Sequence, residues 1–300
     1  MHDTSAGASI ATPPVAWNSE RARAWIAVPD ADDDKYSRGV LGVVTGSAEY
    51  PGAAVLGVEA AIRTGVGMVR YLGDPPATRQ VLARRPEAVP GDGRVEAWLV
   101  GSGMDADTRG AEATDRVRRA LATGAPVVLD AGALDMVRQA TGPTLILPHA
   151  RELARLLNRL GSAAPGAAGD GEVVSAAQVS ADPVGWAHRA VRATGAVVLL
   201  KGSRTVVASM ADGVARTIIL PPGTSWLATA GTGDVLGGII GALVATHSDI
   251  IGSEPAALAE IAATGALIHG LAAAFASGGG PIAALDIAEA VPGRIAALLA

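Results

Sequence analysis

Apolar residues in this chain come in short runs, each stopped by glycine, aspartate or proline and followed by a longer stretch at helical spacing. The first run is Gly39-Val-Leu-Gly-Val-Val-Thr-Gly46. Helical spacing then continues to Thr64, and a second strand is predicted at Gly67–Leu72. Further runs at Val95–Val100, Pro126–Asp130 and Thr144–Leu147 alternate with helical patterns at Asp107–Ala122 and Ala150–Leu160. Short continuous apolar runs suit strands covered on both faces, as in a parallel sheet between helices. Later, a helix over 176–194 leads to a strand at Ala196–Lys201. Val206–Ala208 and Val214–Leu220 flank Met210-Ala-Asp-Gly213, the pattern of a β-hairpin. The sheet is therefore expected to change from parallel to antiparallel in its later part, within an α/β fold. Segments 233–247, 254–276 and 283–299 read as helix.

The ends of the pattern are less regular. Residues 1–18 are small and polar with Pro13-Pro14, and are expected to be a flexible segment ahead of a single domain over 19–300. A short helix is predicted near Ser19–Ile26. The acidic run Asp30-Ala-Asp-Asp-Asp34 reads as a solvated loop, and Ser162–Gly171 as a surface loop or linker.

Composition adds limits. The 300 residues are 49% hydrophobic but only 3% aromatic, so a large core must be built from alanine, valine, leucine and isoleucine. The net charge of −5 leaves no basic footprint for nucleic acid. Cysteine is absent, which excludes disulfides and thiolate chemistry. The N-terminus has no secretory pattern. The most apolar stretch, Val235–Ala245, is broken by glycines and too short for a bilayer. These features lead to the expectation of a cytoplasmic protein with no membrane partner.

In parallel sheets ligands sit beyond the carboxyl ends of the strands. The turns Gly46–Gly52, Gly101–Gly103, Asp130–Gly132 and Pro148–His149 should therefore border one crevice. The first turn is not G-x-G-x-x-G and lacks the later acidic partner, which argues against a Rossmann dinucleotide site. The strongest chemical signal is Leu227-Ala-Thr-Ala-Gly-Thr-Gly-Asp-Val-Leu-Gly-Gly238. Gly231 and Gly233 let backbone amides approach an anion at a helix start. Asp234 would repel that anion unless it acted as a base, and a base beside an anion hole suits phosphoryl transfer. The competing reading is that Thr232 or Asp234 is only a helix N-cap.

Four separated blocks resemble one family: Lys35-Tyr-Ser-Arg-Gly39 through Gly46-Ser-Ala-Glu-Tyr-Pro-Gly-Ala-Ala54, Pro148-His-Ala-Arg-Glu152, Lys201-Gly-Ser-Arg-Thr205, and the Leu227–Gly238 motif. Together they resemble the NAD(P)H-hydrate dehydratases over about residues 20–298. The resemblance implies a three-layer αβα ribokinase-like fold. The implied reaction is repair of NADHX or NADPHX, the cofactors hydrated at C6 of the nicotinamide ring, driven by ADP (or ATP) with Mg2+. It also implies a homo-oligomer, with tetramers common among members.

By the same resemblance Asp234 is the catalytic carboxylate, and Gly231 and Gly233 belong to the loop that holds the phosphoryl group. Lys201, Gly202, Ser203, Arg204 and Thr205, with Gly233, are the nucleotide-binding positions. Ala53, Gly101, Gly103 and His149, with Asp234, face the hydrated cofactor. Three positions depart from the family pattern: Arg151 stands where Pro-His-x-Gly-Glu has glycine, Asp105 where many members have glycine, and the first block reads Thr45-Gly46-Ser47 rather than Gly-Gly-Ser. Two other functions fit the same motif: a small-molecule kinase acting on a hydroxymethyl or hydroxyethyl heterocycle or a sugar, and a non-catalytic nucleotide-binding protein.

Overall fold

The computed structural model describes residues 12–162 and 173–300. Residues 1–11 of the leading segment, and the predicted surface loop beyond Ser162, lie outside them. Ten strands form one sheet: β1 Val15–Ala16, β2 Val40–Val44, β3 Met68–Tyr71, β4 Val89–Pro90, β5 Ala97–Val100, β6 Val127–Leu129, β7 Thr144–Ile146, β8 Val197–Leu200, β9 Val206–Ala211 and β10 Val214–Ile219. Their spatial order is β1-β10-β9-β8-β7-β6-β5-β2-β3-β4. From β4 through β8 every pairing is parallel, whereas β8–β9 and β9–β10 are antiparallel. The change of direction falls at β8–β9, one turn before the expected hairpin, which is β9–β10.

The central strands are buried on both faces, and alternate residues enter different cores. Leu41, Val43, Leu99, Val128, Leu145 and Leu199 pack with the helices Pro51–Thr64, Thr232–Thr246, Ala257–Ser277 and Ala284–Leu299. Val44, Val100, Leu129, Ile146, Val198 and Leu200 pack on the other face with Ala111–Leu121, Ala150–Ser162 and Pro183–Thr194. This is the three-layer αβα arrangement, with strands apolar on both sides for the reason anticipated.

Several details differ from the pattern-based reading. The helix expected over 176–194 is two, Ala176–Ala181 and Pro183–Thr194. Proline disfavours helical backbone at the residue before it, and Asp182 instead caps the second helix by accepting the Gly185 N–H. The helix expected over 254–276 is likewise preceded by a separate short one, Ser248–Ser253. A helix at Pro75–Arg84 escaped the periodicity, although Pro75 sits at its first position as prolines often do. Val15–Ala16 pair with β10 and Trp17 is only 4% exposed, donating its indole N–H to Thr264. That pairing brings part of the leading segment into the fold.

Ala257–Ser277 is long and apolar enough to cross a bilayer by length and composition. Two-thirds of its most apolar window (67%) is instead buried inside the protein, as in a core helix.

Sheet order reverses between β2 and β5: β3 and β4 lie to one side, β6 to β8 to the other. Ligands in open α/β sheets bind at such a switch point. Here the Gly46 N–H donates to the Ser102 carbonyl at 2.7 Å, stitching the two turns together.

Candidate active site

The helix Thr232–Thr246 starts at Gly231, whose φ of 88° is left-handed and strained for any other residue. No side chain caps this helix. The Thr232 hydroxyl is turned away, donating to the carbonyls of Leu227 and Thr229 at 3.1 Å each. Neither Thr232 nor Asp234 is therefore an N-cap, and the first-turn amides are left for an anion.

Asp234 lies in that first turn, half-buried at the mouth of the crevice. Burial pushes its carboxyl up to about 6, and the neighbouring Asp130 carboxylate adds to the rise. Lys201 and the Ser102 hydroxyl oppose both effects. A carboxylate that releases its proton near pH 6 is a competent base at neutral pH.

Lys201 follows β8 and is held from two sides. Its Nζ lies 2.7 Å from Asp130 Oδ1 and 3.9 Å from Glu152 Oε2. Asp130 ends β6 and accepts the Ser102 hydroxyl on its other oxygen at 3.1 Å. Although Lys201 is largely buried, its carboxylate neighbours outweigh desolvation and raise its pKa, so the amine stays charged. A Cβ placed on Gly233 would lie 3.6 Å from Lys201 Nζ, so the ammonium closes over the anion loop.

His149 pairs in a parallel bridge with Lys201. Its N–H donates to Glu152 Oε2 at 2.8 Å, and its Nδ1 accepts the Glu152 N–H at 3.1 Å. His149 thus caps the helix Ala150–Ser162 through one ring nitrogen. The side chain remains 51% exposed.

Ala53 and Gly103 meet on the opposite wall. A Cβ on Gly103, whose φ is 68°, would fall 2.6 Å from Ala53 Cβ and 2.9 Å from the Tyr50 carbonyl. Gly101 (φ 103°) presses on the Asp130 carbonyl in the same way. Both turns are thereby bare backbone beside the crevice.

Most of the residues expected from sequence thus converge on one locus: Ala53, Gly101, Gly103, His149, Lys201, Gly231, Gly233 and Asp234. Thr205 sits at its edge, half-buried. Gly202, Ser203 and Arg204 are exposed in the turn between β8 and β9. The sequence reading passed over Asp130 and Ser102 as site residues. The signal was available, since each lies in a turn already placed on the crevice.

A family model for NAD(P)H-hydrate dehydratase matches residues 41–292. The bifunctional NAD(P)H-hydrate repair enzyme of Mycobacterium tuberculosis is 43% identical over 231 residues, covering 73% of this chain and 43% of that protein. The chain therefore spans less than half the length of that relative. The ADP-dependent (S)-NAD(P)H-hydrate dehydratase of Neisseria meningitidis is 34% identical over 266 residues, covering 81% of this chain and 78% of its own. In fold, the chain is similar to the ADP/ATP-dependent NAD(P)H-hydrate dehydratase of Bacillus subtilis, co-crystallized with ATP and Mg2+. That match has a TM-score of 0.76 at 23% identity, over 95% of this chain and 98% of that one. With a match that spans the central strands and every turn of the crevice, the chain belongs to the NAD(P)H-hydrate dehydratase family.

Proposed function

We propose that this chain is an ADP- or ATP-dependent (S)-NAD(P)H-hydrate dehydratase acting on NADHX and NADPHX in the cytoplasm. The observation that supports it most is Asp234, a carboxylate with its pKa raised to about 6 at an uncapped helix start beside Lys201. The Ala53–Gly103 wall and His149 supply a second ligand surface across from the nucleotide end.

In this reading Asp234 takes the proton of the ring hydroxyl as that oxygen attacks the terminal phosphorus. An O–P bond forms, the bridging P–O bond breaks, and AMP leaves when ADP is the donor. The amides at Gly231–Gly233 and the Lys201 ammonium hold the negative charge that develops. The C6–O bond then breaks as the ring nitrogen pushes in its electron pair, phosphate departs, and loss of a proton from C5 restores the dihydronicotinamide.

The geometry suits a nucleotide: the loop is glycine-lined, its amides are free of side-chain caps, and a charged amine faces it. For Mg2+ the donor set is thin. Among the described residues no group of three His, Asp or Glu side chains converges to hold a metal. Magnesium commonly binds through substrate phosphates with one or two carboxylates, and Asp130 and Asp234 are the carboxylates at hand. The ion would neutralise phosphate charge there.

Incubating the protein with enzymatically hydrated NADH and ADP tests the proposal. Return of dihydronicotinamide absorbance with stoichiometric phosphate and AMP is expected. A stable phosphorylated product would instead establish a kinase, and nucleotide binding without turnover of either kind would indicate a binding protein.

A further inference from the structure

The wall beyond His149 carries a cationic feature that the reaction does not use. Arg151, Arg155 and Arg159 recur at four-residue intervals on one side of the helix Ala150–Ser162. Arg151 and Arg155 are exposed. This placement is unfavourable in an isolated chain. Arg151 is the second helical residue, next to the positive end of the dipole, and Arg155 stands one turn away with the same charge. Like charges at this spacing destabilise a helix by roughly 0.2–0.5 kcal/mol per pair, and a cation in the first turn opposes the dipole.

The arginines also border a cavity. Met104, Asp105, Gly132, Glu152, Arg155 and Arg159 line a pocket of about 120 Å3, and a shallower groove over Arg151, Asn158 and Val174 shares Arg155 and Arg159. The pocket joins the active site directly: Glu152 belongs to both, and Gly132 is two residues beyond Asp130.

Three acidic groups, Asp105, Asp135 and Glu152, also line this space, each with hydrogen-bond partners of its own. Asp135 is paired with Arg109 through 2.7 and 2.8 Å contacts, and Glu152 accepts the His149 N–H. Asp105 accepts the N–H groups of Asp107 and Thr108 at 2.8 and 3.1 Å, and Asp107 is paired with Arg159. Arg151 and Arg155 face the groove without an ion pair at contact distance among the described residues, although Arg155 is near enough to Asp105 to lower its pKa.

We propose that Arg151 and Arg155, flanked by Arg159, form a phosphate-binding subsite for the dinucleotide substrate, gripping it away from the reacting ring. The proposal rests on the dehydratase reading, because the substrate must be a dinucleotide lying past His149. The bound group is a phosphate ester, either the pyrophosphate bridge common to both substrates or the 2′-phosphate of the NADPH form.

The test combines kinetics and binding on wild type, Arg151→Ala/Arg155→Ala and Arg155→Glu. Loss of two guanidinium contacts is expected to raise the KM for hydrated dinucleotide about tenfold, with kcat and the KM for ADP little changed. Direct titration with NADPH and NADH, independent of turnover, should show the same loss of affinity, and the wild-type affinity should fall with salt. A loss confined to the NADPH form locates the 2′-phosphate on the stripe; an equal loss for both locates the pyrophosphate. Either outcome supports the subsite. If wild type turns over hydrated NADH and both variants keep its KM and its affinity for both dinucleotides, the subsite is wrong while the dehydratase reading stands. If wild type shows no dehydration, the underlying reading fails first.

Discussion

The Lys201 ammonium sits 2.7 Å from the Asp130 carboxylate, and that pair links the ends of β6 and β8 within electrostatic reach of Asp234. Asp130 raises the Asp234 pKa by repulsion, while Lys201 lowers it. Removing the Asp130 charge should therefore favour ionised Asp234. Asp130→Asn is expected to move the acid limb of the pH–rate profile below its wild-type position near pH 6. An acid limb left in place in this variant would remove Asp130 from the electrostatics of the base.

Asp234→Asn separates chemistry from stability. Turnover should fall by about a hundredfold to ten-thousandfold, the usual contribution of a positioned base, while nucleotide still binds. Ionised Asp234 is disfavoured in the fold, because its pKa is raised from 3.8 to about 6. The protonated form thus stabilises the native state below about pH 4, and that contribution is lost as pH rises through 6. At pH 7 the amide variant should be more stable by about 1–3 kcal/mol, and the difference should vanish near pH 4. Chemical denaturation at the two pH values measures it.

Gly231 and Gly233 make opposite predictions. A Cβ on Gly231 would lie 2.5 Å from Leu56 Cδ1 on a left-handed backbone, so Gly231→Ala should cost about 1–3 kcal/mol of stability. Gly233 has no such strain, and its Cβ would lie in ordinary contact with Lys201. Gly233→Ala should fold with near-native Tm yet bind nucleotide more weakly, as thermal melts with and without ADP would show.

Far from the chemistry, Glu59 is fully buried and meets Arg63, Arg84 and Arg85 at 2.6, 3.1 and 2.5 Å. Burial alone would raise its pKa, but the three guanidinium groups win and hold it at about 2. Its contribution is present above the ordinary value of 4.5 and is lost as pH falls through about 2. Glu59→Gln should destabilise the protein by about 3 kcal/mol at neutral pH. Urea midpoints of the two proteins should converge in strong acid.

Much of this architecture was legible in the chain because buried parallel strands leave no polar alternation to confuse. Gly39–Gly46 and Pro126–Asp130 were recognisable as strands whose ends face one crevice. What escaped was set by partners distant in sequence. β1 is a strand only because β10 offers an edge, and Trp17 gives no sign that it will meet Thr264. The motif around Asp234 was legible as an anion site with a carboxylate. Its raised pKa was not, since that depends on burial in the folded crevice and on Asp130 arriving from another turn. Glu152 stood in plain view beside His149, but its approach to Lys201 appears only once β7 and β8 are paired.

The helices Pro51–Thr64 and Thr232–Thr246 touch at their backbones: a Cβ on Gly238 would fall 2.2 Å from the Gly57 carbonyl oxygen. One helix begins beside Ala53 and the other beside Asp234, so this contact acts as a fixed gauge between the two helix starts. Having no side chain to repack, the joint does not adjust to a bulkier or slimmer substrate. Substitutions that change the ligand these helices accommodate are therefore expected in the surrounding turns rather than at this joint.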